Sequence, residues 1–504
     1  MGMPRHCCRA VTISGLLVAT SIGAITTAYA DDPDLSSHDD HIVRSTAGVV
    51  ATDHPLASKT AADILAAGGN AADAGVTALL SMGVVNPAGS GLGGGGFCLY
   101  RPVDTGEITT LDFRENAPAA AHRDLYVVDG ELIPELAGKG GLAIGVPGEV
   151  AGVWALHGRF GSLDWPDVVE PARQLAEEGF EVGPLLGSYI QSMSLPPELS
   201  ALFRNEEGQP VAPGDLLKRP KLARTLGILR DEGAAPFFSG DIARAIAEAA
   251  QEADGILTFE DMKSYRVIPR EPFMISYRGL DIATMGPPSS AGILFAQILQ
   301  VLEGFPLGEW GWNADTVHHI VEAFKHAFAD RARYGGDADH VDIPIEELTS
   351  PERAERIRAM IDADGVLDTD AYGTAGLIDG EGGTSHLSII DGAGNMLACT
   401  STINTRFGSF VVVDEYGIIL NNEMADFNLQ PGVPNVFGLI GTEQNAVDAG
   451  KRPLSSMSPT LVLRDGAPLL SIGASGGPMI LSGTLMTMLR IIDFEMDPVE
   501  AVAA

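Results

Sequence analysis

The feature that most restricts how this chain can fold is an abrupt change of character at Thr384. The stretch LDTDAYGTAGLIDGEGG, residues 367–383, is acidic and glycine-rich, and is expected to be mobile and open to proteases. It ends on Gly382-Gly383, and from Thr384 the chain alternates like a half-buried strand. Asp391-Gly392-Ala393-Gly394 supplies a turn, and Met396 to Ile403 returns, so a hairpin is expected. If it folds about Gly392–Ala393, opposed residue numbers sum to about 785–786, which sets Thr402 across from Thr384 or one place away. Two hydroxyls would then meet at the open end of a hairpin, directly after two glycines.

A threonine hydroxyl is a poor nucleophile until a base takes its proton. Its own α-amino group can do so once the preceding peptide bond is cut. Thr384 has permissive glycines before it and a rigid strand after it, which suits both the cut and the later chemistry. Thr402 is placed to orient the nucleophile by a hydrogen bond. The plain alternative is that Thr384 merely begins a strand, as threonines often do, and spacing alone does not separate the two. A competing nucleophile is Ser475, since Gly473, Ser475 and Gly477 match G-x-S-x-G between a strand-like and a helix-like run. No histidine follows Ser475, however, and the usual order places Asp and His after the nucleophile. The other reading of that loop is that Gly476 and Gly477, at a helix start, offer backbone N–H groups to an anion.

The rest of the chain bounds the context. Arg5 and Arg9 precede an apolar run, Ala10 to Ala24, and Ala28-Tyr29-Ala30 resembles a cleavage site, so residues 1–30 read as a secretory signal. No other apolar stretch approaches the roughly 20 residues that span a bilayer, and a periplasmic or secreted protein is expected. Removal of the signal leaves Cys98 and Cys399, too few for a disulfide framework and expected as two buried thiols. A formal net charge of −35 argues against nucleic acid and anionic lipid as partners. At 504 residues the chain is long enough for two domains or one large multilayer domain.

Helices are expected over 54–69 and 70–87, the second alanine-rich, capped by Asn70 and buried. Gly91, Gly93 and Gly96 satisfy G-x-G-x-x-G, but a loop precedes them and a strand, Phe97–Arg101, follows. A close backbone approach therefore fits better than a dinucleotide site. A further strand ends near Arg114, and residues 148–365 read as mainly helical, with one strand in YRGLDIATM. The SSHDDH run reads as a solvated N-terminus, and His318, His319 and His326 as packing or surface residues. No metal or cofactor is expected.

Taken together, TSHLSIID, TSTINTRFGS, GIILNNEMADF, PGVPNVFGLIG, KRPLSSMSPT and ASGGP resemble the small subunit of the γ-glutamyltranspeptidase family. Upstream, GGNAADAGVTALL, GLGGGGF, LDFRENAP, GVPGEVAG and MGPPSSAG resemble its large subunit in the same order, so the resemblance runs from about residue 45 to the last residue. It implies an α+β, N-terminal-nucleophile αββα fold made as one chain that cuts itself before the nucleophile. The expected segments are a signal over 1–30, a large subunit over 31–383 and a small subunit over 384–504, associated as a heterodimer. The implied substrates are glutathione and other γ-glutamyl compounds, with amino acids, peptides or water as acceptors.

By motif, Thr384 is the nucleophile, Thr402 its hydroxyl partner, and Gly476 and Gly477 the oxyanion hole. Arg114, Ser455 and Ser456 match the α-carboxylate ligands; Glu423 and Asp426, with Asn404 beside them, match the α-ammonium ligands. A glutaryl or cephalosporin acylase of the same fold is the nearest alternative activity, and an inert binding protein on the scaffold an alternative of another class. Three departures stand out. Ala425 replaces the first of two adjacent acids, Phe437 stands where many members have a gating tyrosine in the lid 431–441, and the sequence stops in DPVEAVAA, which reads as a truncated chain.

Overall fold

The computed structural model describes residues 42–205, 207–362, 365–367, 372 and 382–504. The expected signal, the SSHDDH run and most of the 367–383 linker lie outside them. In chain order the strands of the two main sheets are β1 (Gly48–Thr52), β2 (Gly95–Arg101), β3 (Thr109–Asp112), β4 (Ile268–Arg270) and β5 (Phe273–Tyr277). Then come β6 (Leu280–Thr284), β7 (Ser385–Asp391), β8 (Met396–Thr402), β9 (Thr460–Arg464) and β10 (Ala467–Ile472). The helices that cover them include α1 (Pro55–Ala66), α2 (Ala71–Val85), α3 (Glu149–Phe160), α4 (Ala291–Leu302), α5 (Ala314–Tyr334) and α6 (Met479–Ile492).

One sheet has the order β1-β7-β8-β2-β3-β4 and the other β10-β9-β6-β5, with antiparallel neighbours throughout. Period-two alternation decides what each face meets. Phe97, Leu99, Met396 and Ala398 point at Ala283, Leu461 and Leu463 of the second sheet. The residues between them, Cys98, Tyr100, Leu397 and Cys399, pack on the α2 side. Beyond the second sheet, Ile275, Ile282 and Val462 pack on Phe295, Leu299 and Leu485 of α4 and α6. The result is helix–sheet–sheet–helix, the αββα arrangement.

Every residue of α2 is buried, and Asn70 and Asp73 form a capping box at its start. The glycine loop serves backbone contact, as its setting predicts: a Cβ at Gly94 would stand 2.0 Å from the carbonyl oxygen of Thr402. β7 and β8 pair Ser385 with Ser401 and Ile390 with Met396, the expected register. The hairpin does not sit beside the sheet but inside it, between β1 and β2.

Two expectations fail here. Cys98 and Cys399 are not free thiols: they face each other across β2 and β8, with Cα atoms 4.1 Å apart, and form a disulfide. Two cysteines so far apart in sequence carry no local sign of pairing; only the strand register brings them together. The stretch 148–365 also holds β4 and β5, which the helical reading missed. They are an outer pair: β4 closes the edge of one sheet and β5 the edge of the other.

Candidate active site

Thr384 immediately precedes β7, and its Oγ1 lies 3.1 Å from Thr402 Oγ1 at the end of β8. Both hydroxyls donate to the carbonyl oxygen of Gly383, from 2.6 Å and 2.7 Å respectively. The backbone around them is tied down. Gly383 N–H donates to Asn404 O at 2.8 Å, and Asn404 N–H donates to Thr402 Oγ1 at 2.8 Å. Both bonds come from one residue because Asn404 takes a left-handed φ of 76°, a conformation that asparagine tolerates better than most side chains. Asn404 Nδ2 donates to Asn422 O at 2.9 Å, which fixes its side chain.

The threonines open onto a cavity. Arg114, two residues past β3, is buried against one wall. Its Nη1 donates to Glu423 at 2.5 Å, its Nη2 to Asp426 at 2.5 Å and its Nε to Pro453 O at 2.8 Å. Glu423 and Asp426 share a short 3₁₀ turn, and Ala425 between them packs into an apolar cluster with Tyr126 and Phe427. The missing acid is therefore accommodated by a hydrophobic contact.

Burial alone would lower the Arg114 pKa, but the two carboxylates hold it well above its usual value. Burial raises Glu423 to about 8 and also raises Asp426, with Arg114 opposing both. Behind them Glu115 is fully buried, neither carboxylate oxygen is hydrogen-bonded among the described residues, and desolvation followed by Glu423 drives its pKa up.

Ser455 and Ser456 form part of the wall, where Ser455 Oγ accepts from Met457 N–H at 3.1 Å and Ser456 Oγ accepts from Arg331 at 3.0 Å. Gly477 lines the cavity and Gly476 stands one residue behind it, both with positive φ just before α6. Gly382 lies directly on this loop, since a Cβ there would meet Gly477 N at 2.4 Å. Phe437 is buried against Gly477.

The structure thus gathers all the residues named from motifs around one cavity, with Gly476 at its edge. Sequence reasoning missed Arg331, whose signal was a charged residue on the buried stripe of α5 formed by Ile320, Ala323 and Ala327.

The Ser475 alternative fails on geometry. β10 and α6 flank it as an elbow requires, and a Cβ at Gly473 would touch the ring of His386. Yet His386 Nδ1 pairs with Thr400 Oγ1 at 2.9 Å and Nε2 with Ser388 Oγ at 3.0 Å, so neither nitrogen serves Ser475. Burial holds the ring neutral, with a pKa of about 3. Among the described residues no histidine, cysteine or acid cluster could hold a metal ion, and no helix is long and apolar enough to cross a membrane.

Comparison with known proteins finds relatives over most of the chain. The sequence profile described as Gamma-glutamyltranspeptidase matches residues 57–504. A protein of Escherichia coli (strain K12) named Glutathione hydrolase proenzyme is 39% identical over 98% of this chain and 87% of its own length. Glutathione hydrolase 2 of Arabidopsis thaliana is 39% identical over 91% of this chain and 79% of its own length. Among solved structures, a cephalosporin acylase from Bacillus halodurans superposes with a TM-score of 0.79 at 27% identity, covering 94% of this chain and 86% of that one. A Helicobacter pylori gamma-glutamyltranspeptidase chain superposes with a TM-score of 0.62 at 35% identity, covering 65% of this chain and 95% of that one.

Proposed function

The chain belongs to the γ-glutamyltranspeptidase family, an enzyme class of γ-glutamyl transfer and hydrolysis, and from that premise we propose that it works through Thr384 after cutting its own chain before that residue. The observation that carries this reading is the pair of threonine hydroxyls on the Gly383 carbonyl. Thr384 Oγ1 attacks the Gly383 carbonyl carbon, and Thr402, held by Asn404 N–H, stabilises the charge that develops on the oxygen. The C–N bond to Thr384 breaks, its nitrogen takes the hydroxyl proton, and water then hydrolyses the resulting ester. The products are a large chain, 31–383, and a small chain starting at Thr384.

The freed α-amino group then becomes the base for Oγ1. The γ-glutamyl carbonyl of glutathione or a related compound is attacked, and Gly476 and Gly477 N–H groups receive the oxyanion. The leaving amine departs protonated, and a water, amino acid or peptide amine releases the acyl group. Arg114 with Ser455 and Ser456 receives the α-carboxylate, while Glu423, Asp426 and Asn404 receive the α-ammonium. Two buried carboxylates beside the carboxylate site favour this substrate over a glutaryl amide, which has no ammonium to pair with them. The enzyme is exported to the periplasm or beyond.

The decisive experiment couples maturation to activity. Wild-type protein should yield two chains, the smaller beginning Thr-Ser-His-Leu-Ser, and should turn over a γ-glutamyl anilide. Thr384→Ala should stay a single inactive chain, whereas Thr384→Ser should still cut, more slowly. A fully active single chain would refute the mechanism, and equal turnover of γ-glutamyl and glutaryl anilides would favour an acylase.

A further inference from the structure

Arg114 is a poor sole anchor for a carboxylate. All three of its nitrogens donate within the protein, and two of their acceptors are carboxyl groups, so it is already engaged where it stands. Arg331 is the other cation among the described lining residues of the cavity. It lies in the last turn of α5 and is buried. Its Nε donates to Ser290 Oγ and its Nη2 to Ser456 Oγ, both at 3.0 Å. Nη1 has no hydrogen-bond partner among the described residues, and no described carboxylate lies within ion-pair distance of the guanidinium. A buried guanidinium with only neutral partners is costly, and an arriving anion relieves that cost. Burial lowers the Arg331 pKa to about 10, Asp426 pulls it up and Arg114 pushes it down, so the group remains charged at neutral pH.

Arg114 is matched by Glu423 and Asp426 at the 3₁₀ turn, whereas Arg331 meets only hydroxyls. The cavity thus carries a cationic side toward Ser456 and a carboxyl-bearing side toward the 3₁₀ turn, where an arriving ammonium favours the ionised form of Glu423. That polarity matches an amino-acid zwitterion and no singly charged acyl group.

We propose that Arg331 is a specificity-determining residue of the donor site, supplying the unneutralised positive charge that holds the α-carboxylate together with Ser456. The assignment rests on the γ-glutamyl reading above. It makes recognition of the α-carboxylate a property of two arginines from different layers of the fold, one fixed by carboxylates and one left free for substrate.

Three anilides of one leaving group test it. The γ-glutamyl anilide carries both charges, the 4-aminobutyryl anilide lacks the α-carboxylate, and the glutaryl anilide lacks the α-ammonium. Arg331→Met should lower kcat/KM about 100-fold for the γ-glutamyl compound, with a parallel loss for the glutaryl compound. Turnover of the 4-aminobutyryl compound should change less than about threefold. Because the three rates come from one preparation, their ratios do not depend on how much of the variant folds. Arg331→Lys, which keeps a charge but not the fork, should give a smaller loss with the same pattern. Equal losses for all three anilides, or unchanged ratios in whichever variant folds, would overturn the assignment. Failure of the wild-type protein to turn over the γ-glutamyl anilide would instead sink the reading on which it rests.

Discussion

Removal of the Cys98–Cys399 bond, by the double substitution Cys98→Ala/Cys399→Ala, should be felt both in stability and in how the cleaved chains hold together. The bond closes a loop with a sequence separation of 301 residues. Loop-closure entropy for that length is about 19 cal/mol/K, or about 6 kcal/mol at 25 °C, while measured losses for native disulfides run about 2–5 kcal/mol. A loss of about 4 kcal/mol is therefore expected in the single-chain Thr384→Ala background. For the unit Ser45–Ala504, of roughly 460 residues, the unfolding entropy near the midpoint is about 1 kcal/mol/K, so Tm should fall about 4 °C by calorimetry. The proposed cleavage point before Thr384 lies between the two cysteines, so once the chain is cut there this bond would join the two pieces. One band without reductant and two with it are expected after denaturation. An unchanged Tm, or two free thiols titrated in denatured protein without reductant, would refute the argument.

Arg114→Lys keeps the charge but cannot reach Glu423 and Asp426 together, so kcat/KM for a γ-glutamyl donor should fall on the order of 100-fold while self-cleavage persists; unchanged kinetics would misplace the carboxylate. Glu149 is buried, with Ser401 Oγ donating to one oxygen and no described residue bonded to the other, and burial raises its pKa from an ordinary 4.5 to about 8. Its neutral form is favoured in the fold, so its contribution is full below pH 4.5 and lost as pH rises to about 8. The loss runs up to about 1.4 kcal/mol per pH unit. Glu149→Gln should therefore flatten the fall in Tm between pH 5 and 8, and an identical pH dependence in the two proteins would contradict this account.

The parts of this protein legible in its sequence are those controlled by near neighbours. The register of the Thr384 hairpin follows from a turn at Asp391–Gly394 and period-two alternation, and the observed pairing of Ser385 with Ser401 agrees. The burial of α2, its Asn70 cap and the close approach of the glycine loop are local in the same sense. The cavity residues were legible too, though only because their motifs resemble a family; spacing by itself left Thr384 and Ser475 both open. Tertiary structure alone decided the rest. It inserted the hairpin between β1 and β2, set Cys98 against Cys399, brought Arg331 to Ser456, and turned both nitrogens of His386 away from Ser475. Each of these depends on which distant segment fills the next place in a sheet or layer, a choice made by the summed burial of many side chains that no short stretch of sequence records.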